Sequence, residues 1–395
     1  MVTLVDKAHC SGCSACLAVC PRRAISMHQD REGFAYPAIN ESTCVNCGLC
    51  KKVCPSINQL RERKPLAVYA AKAKNNTMRL ESSSGGIFSL LARHVLEHGG
   101  LVFGAAFEQS DWHVHHKCID EASGLRELRG AKYVQSDMED CFRQVKAVLD
   151  SGRKVLFSGT PCQIAGLRSY VSQTNAALEK LLCVDVVCHA VPSPLAWRKY
   201  LENRTADACK LWGGQRAIRR ITFRRKDYGW KRYSMSLSFD NDMEYCAIFC
   251  DDSFMRGFLH ELYNRPSCHD CRCKNLRSGS DITIADYWRV ASRFPELDDD
   301  KGTSLVLVNT GKGKLLLDTL SAQIESQASD FEHAIIVNPA IVSSTTPHRN
   351  RANFFNRILL CKDFDNLVVS LLKLPLKSRI SFFVGQCLRK AGLRK

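Results

Sequence analysis

The chain has 395 residues, 45% of them hydrophobic, a formal net charge of +16 and 21 cysteines. This length allows two or three domains, and no stretch reaches the roughly 18 uncharged apolar residues that a membrane-spanning helix requires. The opening residues lack the apolar core of a secretory signal, so the composition disfavours a disulfide scaffold. We predict a cytoplasmic protein whose cysteines are metal ligands or free thiols.

Two copies of one cysteine motif lie at the start of the chain, CSGCSACLAVCP (10–21) and CVNCGLCKKVCP (44–55). Each matches the bacterial ferredoxin pattern C-x2-C-x2-C-x3-C-P, in which the fourth cysteine ligates the other of two [4Fe–4S] clusters. This crossing predicts one ligand set of Cys10, Cys13, Cys16 and Cys54, and a second set of Cys20, Cys44, Cys47 and Cys50. Zinc is disfavoured, because structural zinc sites usually pair C-x2-C units across a longer loop.

A charged segment, QLRERKP (59–65), follows the second motif and predicts a linker. Beyond it, apolar strands alternate with helices; the predicted elements are AVYAAKA (67–73), a helix over 84–98, LVFGAAF (101–107), a helix after Asp137, KVLFSG (154–159), a helix over 162–170, LLCVDVVC (181–188) and a helix over 193–203. Alternating strands around ITFRR, YSMSLSF and EYCAIF then predict an antiparallel patch, and DITIAD (281–286) and SLVLVN (304–309) a last strand pair.

These patterns predict an α+β or α/β fold with three regions. They are a bacterial-type two-cluster ferredoxin domain (1–60), an α/β domain with an antiparallel patch (61–340) and a basic C-terminal extension (341–395).

Four further cysteines lie beside predicted turns: Cys162, Cys188, Cys268 and Cys271. They are suited to another cluster, although buried free thiols are the alternative. The motifs SSSGGIF (82–88), LRGAKYVQSD (128–137), GTPCQ (159–163), VCHAVPSP (187–194) and CHDC (268–271), the last followed by SDITIADYW (280–288), together resemble the family of beta subunits of coenzyme F420 hydrogenases and dehydrogenases. The resemblance covers about Cys10 to Asn309.

The family typically joins a two-cluster ferredoxin domain to a flavin-binding domain with a nearby cluster, and moves electrons between clusters, flavin and a deazaflavin coenzyme. The resemblance therefore implies that 61–340 binds flavin, and that Cys162, Cys188, Cys268 and Cys271 ligate a third [4Fe–4S] cluster, with Cys273 as a spare ligand. Relatives usually have glycine at Ala190 and at Arg289, and these departures leave the second substrate open.

Three segments are candidates for holding the flavin, FAD or FMN. A serine–glycine turn before a helix offers N–H groups to a phosphate, a polar and aromatic segment suits the ring system, and a strand–helix turn lies where open α/β sheets bind ligands. The residues are Ser84, Gly85, Gly86, Lys132, Tyr133, Gln135, Ser136, Gly159 and Thr160. The alternatives are an ordinary helix N-cap and a polar strand end. Since no G-x-G-x-x-G follows a predicted strand, a nicotinamide nucleotide is disfavoured.

We predict an iron–sulfur flavoprotein oxidoreductase that moves electrons between clusters, a flavin and an organic two-electron substrate, with a deazaflavin as the family-based candidate. No catalytic side chain is assigned. The alternative is a non-catalytic ferredoxin-like relay that docks on a partner enzyme. The expected partners are a redox protein or a small-molecule electron donor or acceptor.

Two basic segments have other interpretations. The cationic and aromatic residues over 219–232 favour a hairpin over an anionic substrate rather than nucleic-acid binding. The basic tail is typical of interfacial helices, so peripheral membrane contact stands beside docking of the tail on its own domain.

Overall fold

The computed structural model describes residues 3–174 and 176–373. The ferredoxin region contains α1 (Ala15–Val19), β1 (Ile25–Gln29), β2 (Ala35–Ile39) and α2 (Leu49–Lys52). The strands β1 and β2 pair in antiparallel register, with Ile25 opposite Ile39. The turn between them is fixed by the Asp30 carboxylate, which accepts the N–H groups of Glu32 and Phe34. The cysteine spacing did not predict this hairpin.

The remaining elements follow in alternation. The first half comprises β3 (Ala67–Ala73), α3 (Asn76–Leu80), α4 (Ile87–Glu97), β4 (Leu101–Phe107), β5 (Val114–Ile119), α5 (Leu125–Leu128), α6 (Cys141–Asp150), β6 (Val155–Gly159), α7 (Pro161–Val171), β7 (Leu181–Val186) and α8 (Pro194–Trp212). The second half comprises β8 (Ile218–Arg225), β9 (Ser234–Phe239), β10 (Glu244–Ile248), α9 (Ser253–Leu259), β11 (Ile282–Asp286), β12 (Ser304–Val308), α10 (Gly311–Thr319), β13 (Ile324–Ser329), α11 (Phe331–Val337), α12 (Arg351–Arg357) and α13 (Phe364–Leu372).

A mixed eight-stranded sheet forms the centre of this region, in the order β13-β3-β12-β11-β7-β6-β4-β5. Its middle strands β4, β6, β7 and β11 are parallel. Their sequences are nearly continuous apolar runs, because helices cover both faces of such a sheet. A separate antiparallel sheet, β10-β9-β8, is the predicted patch. The mixed α/β architecture predicted from the alternation is therefore confirmed.

Some boundaries differ from the prediction. The serine–glycine segment forms a turn, and α4 begins only at Ile87, after Gly86 with φ +84°. The helix predicted over 193–203 continues to Trp212. Within the segment predicted as a C-terminal extension, α12 and α13 add Phe354, Phe364 and Val368 to a core cluster shared with α8 and α9.

The boundary of that extension stays a prediction. The predicted interfacial tail spans 366–395, and its residues 374–395 lie outside the described residues. Its first part belongs to α13, where Leu367, Val368 and Leu371 are buried in the core cluster. Among the described helices, none combines the length and the apolar character needed to cross a bilayer.

Candidate iron–sulfur electron-transfer centre

The two motif loops share one backbone conformation. Gly12 and Asn46 occupy equivalent positions and have φ of +69° and +53°, while Ser14 and Gly48, two residues later, have φ of +64° and +76°. Left-handed residues of this kind turn successive backbone N–H groups toward one side, which forms a cradle for an anionic group. The repeat is thus maintained in the backbone even where the residue types differ.

Four cysteines line each of two cavities in the ferredoxin region. The first cavity, here called the outer site, is lined by Cys20, Cys44, Cys47 and Cys50. The second, the inner site, is lined by Cys10, Cys13, Cys16 and Cys54. Each cavity therefore takes three cysteines from one motif and the fourth from the other, the same crossed sets that the spacing predicts.

Burial changes the acidity of the inner-site thiols. In the described part of the chain, no group of three or more histidine, cysteine, aspartate or glutamate side chains is arranged to hold one metal ion. Burial raises the pKa of Cys16 to about 12 and also raises that of Cys54. Such thiols become thiolates when a metal compensates their charge, so the inner site fits the positively charged irons of a cluster.

The inner site is fastened to the α/β domain by a buried arginine. Arg265, with no exposed surface, donates from Nε to the carbonyl of Cys10 (2.9 Å), from one Nη to Oε1 of Gln135 (2.7 Å) and from the other to the carbonyl of Ala35 (2.9 Å). Gln135 in turn donates to the carbonyl of Ser11 (3.1 Å). The motif loop is therefore held by side chains distant in sequence.

The cysteines of the predicted third cluster come together at the carboxyl edge of the parallel strands. Cys162 follows β6 and Cys188 follows β7, where open α/β sheets place their ligands. Burial raises the pKa of Cys162, and the thiol of Cys271 adds to that shift. Burial likewise raises the pKa of Cys188, with Cys268 contributing. The Arg265 N–H donates to the carbonyl of Val191 (2.9 Å), which joins the loop of Cys188 to that of Cys268. The four cysteines are here called the third site.

A fifth thiol and a buried lysine belong to the same group. The neighbouring Cys273 thiol lowers the pKa of Cys271; burial opposes the shift, and Lys274 supports it. Lys274 is 8% exposed and donates to the carbonyls of Cys188 (2.8 Å) and Ala340 (2.6 Å). No carboxylate in residues 3–174 or 176–373 forms an ion pair with it. Sequence reasoning missed both Arg265 and Lys274, because neither lies in a recognisable motif.

The third site adjoins the inner site. A Cβ added to Gly166 of α7 would lie 2.9 Å from Sγ of Cys13, so glycine allows this close approach. Burial raises the pKa of Cys13, and the thiol of Cys162 contributes to the shift. The side chain of Ser11 in the inner loop acts in the opposite direction and lowers the pKa of Cys162. The cysteine groups therefore follow one another in the order outer, inner, third.

The predicted flavin segments fall into two places. Ser136 accepts from Nε2 of Gln163 (2.7 Å), and the Thr160 N–H donates to Oε1 of the same glutamine (2.9 Å). These residues and Gly159, which lies beside Gln163, support the helix that carries Cys162. Gln135 instead contacts Ser11 and Arg265 at the inner site. Their polar groups are engaged within the chain.

The other flavin candidates lie near β8. The Ala131 N–H donates to Oγ of Ser83 (2.5 Å), which joins the serine–glycine turn to the segment of Lys132 and Tyr133. Ser84 donates to the carbonyl of Thr303 (3.0 Å), and the Gly85 N–H donates to Oγ of Ser304 (3.0 Å). The turn therefore packs against the start of β12, and the N–H of Gly85 is already used there.

Three basic side chains lie within or beside these two segments. Lys226 donates to the carbonyls of Ser84 (3.3 Å) and Lys301 (2.7 Å), and Lys132 to that of Arg129 (3.0 Å). Burial lowers the pKa of both lysines to about 7. Arg224 stacks on Tyr233 and pairs with Asp286, while its Nε and second Nη are buried with no hydrogen-bond partner. This environment would favour an anionic ligand, which would stabilise the charged amines.

The fold and these sites define an iron–sulfur electron-transfer protein with an α/β domain. The chain belongs to the family of coenzyme F420 hydrogenase/dehydrogenase beta subunits: the family models for the N-term and the C terminus of these subunits match residues 68–143 and 152–333. The model of a 4Fe-4S dicluster domain matches residues 9–57. The resemblance stated from the motifs is confirmed, and the ferredoxin region is a 4Fe–4S cluster-binding domain.

Two relatives illustrate the similarity. The chain is 24% identical to one of the subunits of the F(420)H(2) dehydrogenase of Methanosarcina mazei over 201 residues, 46% of this chain and 55% of that protein. It is 25% identical to the coenzyme F420-dependent sulfite reductase of Methanocaldococcus jannaschii over 171 residues, 42% of this chain and 26% of that protein. The chain thus spans about half the length of the first relative and a quarter of the second.

A solved structure has a similar fold. It is a chain of the F420-reducing [NiFe] hydrogenase complex from Methanosarcina barkeri, with a TM-score of 0.50 and 15% identity. The similarity covers 76% of this chain and 94% of that one. The two chains therefore share their fold.

Proposed function

We propose that the chain is an iron–sulfur flavoprotein oxidoreductase, with three [4Fe–4S] clusters in a row and a flavin in the α/β domain. The observation that carries this proposal is the order of the cysteine groups, in which Cys13 of the inner site lies against α7 and the third site. Such a row suits stepwise transfer of single electrons from the ferredoxin region to the α/β domain.

The proposed ligands of the outer and inner clusters are the cysteines that line the two cavities, and those of the third cluster are Cys162, Cys188, Cys268 and Cys271. Cysteine thiolates are the ordinary ligands of such clusters. Lys274 would balance part of the negative charge of the third cluster, because it is buried beside Cys188 without a carboxylate partner in the described ranges.

The flavin is proposed to bind between the serine–glycine turn, the Lys132 segment and β8. A bound flavin supplies the conversion between one-electron and two-electron chemistry. Arg224 would hold an anionic or carbonyl oxygen with its unpartnered N–H groups, while Tyr233 and Trp288 stack on its guanidinium and fix its position. Lys226 and Lys132 would attract the phosphate groups.

A deazaflavin is the proposed second substrate, because the names of both relatives refer to coenzyme F420. Arg289, where relatives usually have glycine, keeps the left-handed conformation that glycine favours, with φ +59°. Its side chain is exposed. The departure therefore changes the surface beside Trp288 and leaves the local backbone turn intact.

The rival function is an electron relay with three clusters and no flavin. Iron and flavin contents per anaerobically purified chain distinguish the two. We expect roughly 12 iron atoms and near-stoichiometric flavin in the wild type. Three clusters without flavin, even after incubation with FAD and FMN, would favour the relay.

Matched variants test which residues hold the third cluster and the flavin. Cys188→Ser is expected to reduce iron to roughly 8 atoms, whereas Cys183→Ser, at a buried position on β7 outside the three sites, leaves it unchanged. Arg224→Met is expected to lose flavin, and Arg219→Met, exposed on the same strand, to retain it. Unchanged iron in both arginine variants would show that the fold is maintained. Equal flavin in the two would remove Arg224 from the proposed site.

A further inference from the structure

We propose that the surface around the outer site is the docking face for an acidic one-electron carrier protein. This inference rests on the proposed electron-transfer function and adds the partner and its place of contact. The surface, here called the outer face, consists of Val45 and Cys47 together with four exposed cations from the same two motif segments, Arg22, Arg23, Lys51 and Lys52.

The outer site is the place where a cluster would come closest to solvent. Cys47 is the one exposed cysteine among the eight of the two motifs. Its neighbour Val45 is 58% exposed and, like Arg22, lines the cavity. Electron transfer between proteins requires a short path, so a partner positioned over Cys47 would meet the chain at its most accessible cluster. The inner site lies behind it, against α7.

The charge of the outer face is uncompensated. Arg22, Arg23, Lys51 and Lys52 are all exposed, and none forms an ion pair with a carboxylate in the described ranges. The two motif segments, 10–23 and 44–55, contain no aspartate or glutamate. On the adjacent helix α6, by contrast, Lys146 pairs with Asp150. The opposite end of the ferredoxin region is also neutralised, since Lys7 pairs with Asp30.

An exposed apolar centre with an unpaired charged rim is typical of transient protein interfaces. Four unpaired cations select a negatively charged partner and accelerate its encounter with the chain. The cluster takes one electron at a time, which requires a carrier of the same kind. A small acidic iron–sulfur or flavin protein meets both requirements. The formal net charge of +16 stays positive after each bound cluster lowers it by about two, so it adds long-range attraction.

The test compares two double variants with the same change in net charge. Lys51→Glu/Lys52→Glu reverses charge on the outer face. Arg126→Glu/Lys154→Glu reverses two exposed cations of the α/β domain that also have no ion pair within the described residues. A reduced plant-type [2Fe–2S] ferredoxin, which is acidic, serves as the probe. Stopped-flow absorbance gives the second-order rate of cluster reduction at low and high salt.

We expect the outer-face variant to slow reduction by ferredoxin about tenfold or more at low salt, and the control variant to slow it less than about twofold. The difference should shrink at high salt, because salt screens exposed charges. Equal slowing in both variants would mean that only net charge matters, and no slowing in either would also overturn the docking face.

A separate measurement tests the electron-transfer function on which this inference rests. The iron content and the amplitude of bleaching by excess dithionite should be the same in the wild type and both variants. Wild-type protein without clusters would defeat the electron-transfer function itself. Intact clusters combined with equal ferredoxin rates would defeat the docking face alone.

Discussion

The outer and inner sites share a motif and a backbone but differ in their surroundings. At the outer site Cys47 is exposed, and a Cβ added to Gly48 would meet nothing within 4 Å. At the inner site Cys10 is 8% exposed, and a Cβ on Gly12 would lie 2.9 Å from the side chains of Arg265 and Gln135. Residues outside the repeat therefore determine which site faces a partner and which faces the rest of the chain.

A substitution of Arg265 should have the largest effect on the contrast between the inner and outer sites. Arg265→Met removes three hydrogen bonds from buried or half-buried acceptors, and we expect a loss of about 3–5 kcal/mol in the free energy of unfolding. The midpoint of anaerobic thermal unfolding, followed by circular dichroism, should fall by about 4–6 °C. Arg22→Met, on the outer face, should leave it unchanged. Equal midpoints in the two variants would show that the buried arginine does not fasten the inner loop.

The different surroundings of the inner and outer sites could not be predicted from the sequence. The spacing of the two motifs predicts crossed cysteine sets, and the same sets line the two cavities, although ligation itself stays a prediction. The motifs are alike in sequence, so nothing within them indicates that Cys13 lies against α7 or that Cys47 faces solvent. That information resides in Gly166 and Arg265, which reach the motif only through the tertiary fold.

In the α/β domain, too, some features could be predicted from the sequence and others depend on the tertiary fold. Apolar runs such as that of β12 predict buried strands because burial on both faces leaves a direct pattern in the sequence. Family resemblance leads to Cys162, Cys188, Cys268 and Cys271, which the fold brings together. It does not lead to Lys274 or to the environment of Arg224, because a buried cation is defined by its neighbours rather than by spacing.

Two glycines with positive φ, one in each motif loop, extend the comparison of the inner and outer sites. Gly12→Ala and Gly48→Ala both place a side chain at positive φ, +69° and +76°, which costs about 1–2 kcal/mol at either position. At Gly12 the new methyl group must also displace Arg265 and Gln135. We therefore expect Gly12→Ala to lower the unfolding midpoint more than Gly48→Ala does, by an extra ~1 kcal/mol or so of overpacking. A larger effect at Gly48 would contradict the crowding of the inner loop.

The last prediction compares the buried charge of Lys274 with an exposed charge at the outer site. Lys274→Met removes a cation beside Cys188, so the third cluster becomes harder to reduce and its potential falls. An interaction of about 1–2 kcal/mol corresponds to roughly 40–90 mV for one electron. Lys274→Arg, which keeps the charge, should recover most of this shift. Redox titration monitored by electron paramagnetic resonance measures each cluster.

The control is Lys51→Met at the outer site. Lys51 is exposed on α2, where water and salt screen its charge, so the potential of the outer cluster should move by less than about 20 mV. The large shift at the buried lysine should persist at high salt, and the small one should disappear. Equal shifts at the two positions would mean that the third site is as open to solvent as the outer site. There would then be no physical basis for treating the outer site as the place of electron exchange and the third site as internal.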